Sequence, residues 1–342
     1  MACNLAYNPF MPRIPWGLFR KKQMAHLIES TNGKAEIAYA GQKPWHGLGQ
    51  QLTADASIDV WRKEAGLDWE AKLSPIMFTW DGQNYSEMDN QKVIYRSDTN
   101  TPLGVVTDRY KVHQPAEVLD FFNTLAQSAG FTLEVAGAIK GGKRIWALAN
   151  VNREAVVLTD DAVRGYLLLS TSFDGSTATI GQFTSIRVVC NNTLSMADSE
   201  GAPSRVNLTH GARFDASLMR DRLGLVVGGF EGMMDNYRKL ARQGVSVEYA
   251  KQFANELFPA AYNQQTNTFK ESRGFKRVME LFDGAGMGAN NFGVYGTKWG
   301  LLNAVTQYVD HERGHNVDTR MNNAWFGNGD RMKTQAEALL LA

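Results

Sequence analysis

Phe131-Thr132-Leu133-Glu134-Val135-Ala136-Gly137-Ala138-Ile139-Lys140-Gly141-Gly142-Lys143-Arg144-Ile145-Trp146-Ala147-Leu148-Ala149-Asn150-Val151 decides the fold class. Phe131–Ile139 and Arg144–Val151 are two apolar runs of strand length, and the Gly141-Gly142 pair between two lysines supplies the backbone freedom of a tight turn. Alternation sets Ile145 and Ala147 on one side and Trp146 and Leu148 on the other, so Trp146 suits either core or display. Just upstream, Leu103–Thr107 is strand-like. Pro115 then stands where a first helical turn tolerates it, and Val118, Leu119, Phe122 and Leu125 form a helical stripe that ends before Gly130. The unit is strand, helix, hairpin.

A second unit follows. Tyr166–Ser172 reads as a strand, Asp174-Gly175 as a turn, and Ser176–Gln182 as a strand running on toward Arg187-Val188-Val189-Cys190. Asn191-Asn192-Thr193-Leu194 is expected to open a short helix through Met196 or Ala197, and Arg205–His210 to return as a strand. Toward the N-terminus, Thr53 is placed to cap a helix over Ile58–Ala65 that Gly66 ends. Trp69–Thr79 and Lys92–Arg96 read as strands, with a turn at Asp81-Gly82. Toward the C-terminus the pattern becomes helical: Asp215–Arg242 with a kink at Gly228-Gly229, then Val247–Phe258, Phe275–Phe282, Trp299–Tyr308 and Met332–Leu341. Asn263–Thr268 and Asn316–Arg320 look like connections, and Asp283–Gly296 is a long glycine-rich loop. The expected architecture is α+β, with an antiparallel or mixed central sheet of strand-helix-hairpin units followed by a mostly helical region. The expected division is an extension or arm over 1–23, an α+β core over 24–212, and a helical region over 213–342 packed on that core.

The chain has 342 residues, with 36 basic and 35 acidic side chains and a formal charge of +1. No bulk field draws it to nucleic acid or to an anionic membrane, so any such binding needs a local basic face. Its two cysteines, Cys3 and Cys190, fall in a tail and in an apolar run, which argues against a structural disulfide and against a cysteine-ligated zinc site. That usage fits a reducing, cytoplasmic compartment. No apolar run reaches the roughly eighteen residues of a membrane span. Arg20-Lys21-Lys22 follows the apolar N-terminal residues instead of preceding them, the reverse of a secretory signal. Residues 1–23 are read either as a loose extension or as an arm that docks on a neighbour, the second because Phe10, Trp16 and Phe19 are costly to leave in water.

Several strings carry a resemblance. Lys43-Pro44-Trp45-His46-Gly47-Leu48-Gly49, Gly104-Val105-Val106-Thr107-Asp108-Arg109-Tyr110 and Gly142-Lys143-Arg144-Ile145-Trp146-Ala147-Leu148 come first. Leu169-Ser170-Thr171-Ser172-Phe173-Asp174-Gly175-Ser176 and Arg187-Val188-Val189-Cys190-Asn191-Asn192-Thr193-Leu194 follow, and the series ends in Trp299–His311. This ordered succession, from about Met24 nearly to the C-terminus, resembles the phage/plasmid-like family that carries domain of unknown function 932. Residues 1–23 look like an addition to the family's usual start. The resemblance implies a mobile-element setting and no catalytic residue. The order of elements is also similar to that of single-strand annealing proteins of the Rad52 superfamily.

The nucleic-acid candidates are Arg109, Tyr110, Lys111, Lys140, Lys143, Arg144, Arg187 and Arg205. Strand ends and a hairpin tip can gather these cations into one groove for backbone phosphates, with Tyr110, Trp146 and Phe173 as stacking faces. The competing account makes the lysines a solvated turn and the aromatics core. Arg187 with Asn191-Asn192 either fixes a strand-to-helix turn or presents donors to a phosphate, the first account being preferred. His311-Glu312-Arg313-Gly314-His315 formally matches the zinc-protease string H-E-x-x-H, with Asp310 adjacent and Asp318 a downstream third ligand. Gly314 interrupts the helix this chemistry needs, so a polar helix end is the preferred account. His46 is read as a structural histidine, Asp174 as a turn residue and Cys190 as packed. Gly284–Gly296 lacks the Lys-Ser/Thr ending of a phosphate-binding loop. The expected function is single-stranded DNA binding or annealing, without a cofactor. The alternatives are a homo-oligomeric assembly protein and a zinc-dependent hydrolase.

Overall fold

The computed structural model describes residues 30–31, 34–41, 48–81, 83–159, 161–189, 192–195, 205–227, 229–264, 268–314 and 317–342. The expected arm over 1–23, His46, Gly228, Cys190, Asn191 and His315 lie outside the described residues.

In chain order the elements begin with the small hairpin β1 (Ser30–Thr31) and β2 (Lys34–Ala35), then β3 (Ile37–Ala40), β4 (Gln50–Leu52) and α1 (Ile58–Glu64). β5 (Ala71–Thr79), β6 (Tyr85–Arg96) and β7 (Pro102–Thr107) precede α2 (Pro115–Ala129). Next come β8 (Thr132–Ile139), β9 (Arg144–Val156), β10 (Ala162–Ser172), β11 (Thr179–Arg187), β12 (Asn192–Ser195) and β13 (Arg205–Leu208). α3 (Ala216–Val227), α4 (Gly229–Ala241) and α5 (Val247–Leu257) follow, then β14 (Ala261–Asn263), β15 (Thr268–Lys270), α6 (Arg273–Glu280), α7 (Lys298–Gln307), α8 (Val317–Phe326) and α9 (Asn328–Leu341).

The fold is α+β. Its main sheet has eight strands in the order β12-β11-β10-β9-β8-β3-β4, and β13 shares the outer edge of β11 with β12. β12 pairs with Thr184–Arg187, and β13 with Thr179–Gln182. All pairings are antiparallel except β3 with β4. A separate sheet, β5-β6-β7, is also antiparallel.

Both faces of the main sheet are covered, which is why its central strands read as near-continuous apolar runs. On one face, Ala136, Ala138, Ile145, Ala147, Leu167 and Leu169 pack with residues of α1, α2 and α3. On the other, Trp146, Leu148, Tyr166 and Leu168 meet Met321, Trp325 and Phe326 of α8. The remaining C-terminal helices build a core of their own, into which Val157 and Val163 project. Local chemistry starts the helices where chain direction must change. Glu117 accepts from the Gln114 N–H at 2.7 Å beside Pro115, and Ser246, Ser272 and Thr297 cap α5, α6 and α7.

Some segments depart from the expectations. Asn192–Ser195 is a strand, not a helix start, because it pairs with β11 and its Thr193 N–H is held by Asp310 at 2.6 Å. Val317–Phe326 is a helix where a connection was expected, since Met321 and Ala324 bury against the rest of the fold. The short strand at Lys92–Arg96 extends back to Tyr85. Ser57, and not Thr53, caps α1. Ala261–Asn263 and Thr268–Lys270 pair as two short antiparallel strands.

Candidate nucleic-acid interface

One end of the main sheet gathers most of the predicted cations. The β8–β9 turn, Lys140–Lys143, lies beside the β10–β11 turn: the Phe173 N–H donates to the Lys143 carbonyl at 2.8 Å, and Arg144 is the strand partner of Ser172. Lys140, Gly141 and Gly142 all have positive φ, which turns the chain within very few residues. Gly142 is needed for a further reason, since a Cβ there would sit 2.9 Å from the Arg96 guanidinium. The segment after β7 reaches the same place, because the Tyr110 hydroxyl donates to the Ser172 carbonyl at 2.7 Å. Arg109, Lys111, Lys140 and Lys143 are exposed around these turns. Asp174 sits among them. Burial works against its ionisation, but hydrogen bonds from Ser176 and the charges of Arg144 and Lys140 hold its carboxyl below the usual range.

Two further candidates lie behind this rim, on the face that packs against α8. Arg144 is 4% exposed, its guanidinium stacks on Phe326 at 4.4 Å, and its Nη2 donates to Thr177 Oγ1 at 2.9 Å. Burial lowers its pKa to about 10, with Asp174 opposing and Arg205 adding to the fall. Arg205 is half-buried, and its Nε donates to Asn207 at 3.1 Å. Its pKa is also lowered by burial, against the pull of Asp330.

Arg187 is not part of the group. It lies at the far end of β11, 0% exposed, with Nε donating to Asp161 at 2.6 Å and Nη1 and Nη2 to the carbonyls of Met287 and Gly288. Trp299 Nε1 donates to the second Asp161 oxygen at 2.7 Å. The carboxylate neutralises the arginine, and the cluster bolts β11 to the α7 region. The stacking faces are corrected as well. Phe173 and Trp146 are core, Trp146 lying edge-on to Trp325, while Tyr110 is stacked on His210 at 4.4 Å.

A family model described as Domain of unknown function (DUF932) matches residues 102–336, a span that contains every candidate cation. The chain belongs to this family. No curated protein and no solved structure matches it, and the likeness of element order to Rad52-superfamily proteins finds no support.

Within the DUF932 span, the strings Arg187–Leu194 and Trp299–His311 meet each other in space. Besides the Arg187–Asp161–Trp299 cluster, Asp310 accepts from the Thr193 N–H and hydroxyl, and Lys333 Nζ donates to Asp310 at 3.0 Å and Thr193 Oγ1 at 2.7 Å. Both sets are buried and internally paired. The H-E-x-x-H string does not form one helix in the described residues: Arg313 is extended, and Gly314 has φ +127°. Glu312 is held in two hydrogen bonds by Arg277 at 2.6 and 2.9 Å. Among the described residues no cluster of His, Cys, Asp and Glu has metal-site geometry, and no helix is long and apolar enough to cross a membrane. The sequence reading missed Thr177, Gln182 and Phe326. Gln182 alone carried a local signal, as an amide inside the apolar run Ile180–Phe183.

Proposed function

We propose that this DUF932 protein binds single-stranded DNA through its phosphate backbone, in a phage or plasmid setting, using the sheet end built around the Lys140–Lys143 turn. The supporting observation is that three exposed cations from two separate stretches of sequence, Arg109 and Lys111 in one and Lys143 in the other, stand at the same sheet end without ion pairs among the described residues. Cations that the protein does not neutralise are free to replace the counterions of a nucleic-acid strand. The near-zero net charge makes the contact local, and with no exposed stacking ring at this end among the described residues it is independent of base sequence. Anisotropy titrations of a labelled single-stranded oligonucleotide across a salt series test this. The wild-type chain binds more weakly as salt rises. The K140E/K143E double variant loses at least about tenfold in affinity at low salt, with a salt slope shallower by about two. Wild-type binding that is missing, or indifferent to salt, refutes the proposal.

Self-association is a second reading, favoured by the distal half of the β5–β6 hairpin. Met77, Phe78, Trp80 and Tyr85 are all exposed there, Trp80 at 65%. A patch of this kind on a protruding hairpin suits contact with another copy of the chain. Sedimentation velocity at rising concentration distinguishes a homo-oligomer from a monomer.

A further inference from the structure

Three buried polar groups on the α8-facing side of the main sheet lack hydrogen-bond partners among the described residues. Arg144 and Trp146 are successive side chains on this side of β9. Gln182 stands on the same side of β11, in the cross-strand row Leu148, Leu168, Gln182, Arg205. Arg144 Nη1, Trp146 Nε1 and Gln182 Oε1 make no hydrogen bond, although the three residues are only 4%, 2% and 5% exposed. Buried polar groups are normally satisfied, and a buried guanidinium normally faces a carboxylate. Neither Arg144 nor Arg205 forms an ion pair with any described residue; the Arg205 charge disfavours that of Arg144, while Asp174 and Asp330 act in the opposite direction on Arg144 and Arg205 respectively. Contrast Arg187 on the same strand as Gln182, equally buried but closed by Asp161 at 2.6 Å. The fold can close an arginine inside this sheet with a carboxylate in direct contact; among the described residues Arg144 has none at ion-pair distance, and feels Asp174 only through its charge.

The geometry points to a pocket for a single phosphate group, between this side of the sheet and the Trp325–Phe326 end of α8, clamped by Arg144 and Arg205. Two guanidinium groups suit a tetrahedral dianion, whose oxygens accept from both forks at once. Trp146 Nε1 is a third donor, and the Gln182 amide becomes a fourth when turned to present its nitrogen. Phe326 backs the Arg144 guanidinium and fixes its plane. The inference stands apart from the strand-binding proposal: it requires a seat for one phosphate, not a path for a chain of them. The phosphate is either the free ion or the terminal phosphate of a strand.

Calorimetric titration of the full chain decides the matter, using inorganic phosphate and one oligonucleotide in 5′-phosphorylated and 5′-hydroxyl forms. Saturable binding of inorganic phosphate supports the pocket. Competition by the phosphorylated strand alone identifies a strand end as the source; lack of competition identifies the free ion. Arg205→Gln, at a half-buried edge position, weakens phosphate binding by about tenfold or more, and Gln182→Met, which keeps the side-chain volume, weakens it in the same direction. K140E/K143E leaves phosphate binding unchanged, so loss of strand binding in that variant reports on the other proposal alone. The pocket is refuted if neither inorganic phosphate nor the phosphorylated strand binds saturably. It is equally refuted if both single variants bind phosphate as the wild-type chain does.

Discussion

At the scale of single residues, the arginines divide by what closes them. Arg96 is buried and held in two hydrogen bonds by Glu36 at 2.7 and 2.8 Å; Arg187 is buried and held by Asp161. Removing one partner of such a pair leaves the other charge buried and uncompensated, whereas exposed pairs such as Lys72–Glu70 contribute little. Arg187→Met strands Asp161, whose other side-chain partner among the described residues is the Trp299 N–H. The expected cost is about 3–5 kcal/mol of stability, read as a lowered urea midpoint. Lys72→Met changes stability by less than about 0.5 kcal/mol, read from the same midpoint. Equal shifts for the two variants would contradict the structural role given to Arg187.

Among elements, the small sheet β5-β6-β7 joins the rest of the fold at its base. Ile94 and Leu103 lie in the main core, and Gly104 comes so close to Asp174 that a Cβ would sit 2.5 Å from its Cα. The distal half of the hairpin carries its side chains into solvent. Exposed positions contribute little to folding, so a W80S/Y85S double variant changes stability by less than about 1 kcal/mol. It abolishes concentration-dependent association if the hairpin is the contact. An oligomer that survives this change in sedimentation velocity removes the hairpin from the interface.

For the whole molecule, acid stability rests on a buried junction of several elements. His113 bonds Thr179 at 2.6 Å and the Ala212 carbonyl at 2.9 Å; His210 bonds the Lys111 carbonyl at 3.0 Å and packs between Tyr110 and His113. Burial, with His113 adding to it and backbone carbonyls opposing, lowers the His210 pKa to about 4. Burial also lowers His113, against Glu117. Between about 4 and the unfolded value near 6.5, the unfolded chain binds a proton that the folded chain refuses. Stability is therefore complete above this window and falls as the pH drops through it, by about 2 kcal/mol from pH 7 to pH 5 for His210 alone. Asp174, held below its usual range, adds to the loss only below about pH 4. Urea midpoints measured at pH 7 and pH 5 check this, and equal midpoints would overturn it.

The sequence by itself determined the elements whose signals are local: the Lys140–Lys143 hairpin, the α2 stripe, the opposite facing of Ile145 and Trp146, and the helical C-terminal third. Periodicity and turn chemistry act over a few residues and need no distant partner to be read. Only the tertiary structure decided what each cation faces. Arg187 and Arg144 look alike in sequence, both beside apolar strand residues, yet one meets Asp161 and the carbonyls of the 287–288 loop while the other meets a phenylalanine ring. Thr193 became strand because Asp310 and Lys333, more than a hundred residues away, take its polar groups. Charge compensation depends on which distant segments are brought within a few ångströms, and that is settled by packing, not by neighbours in the chain.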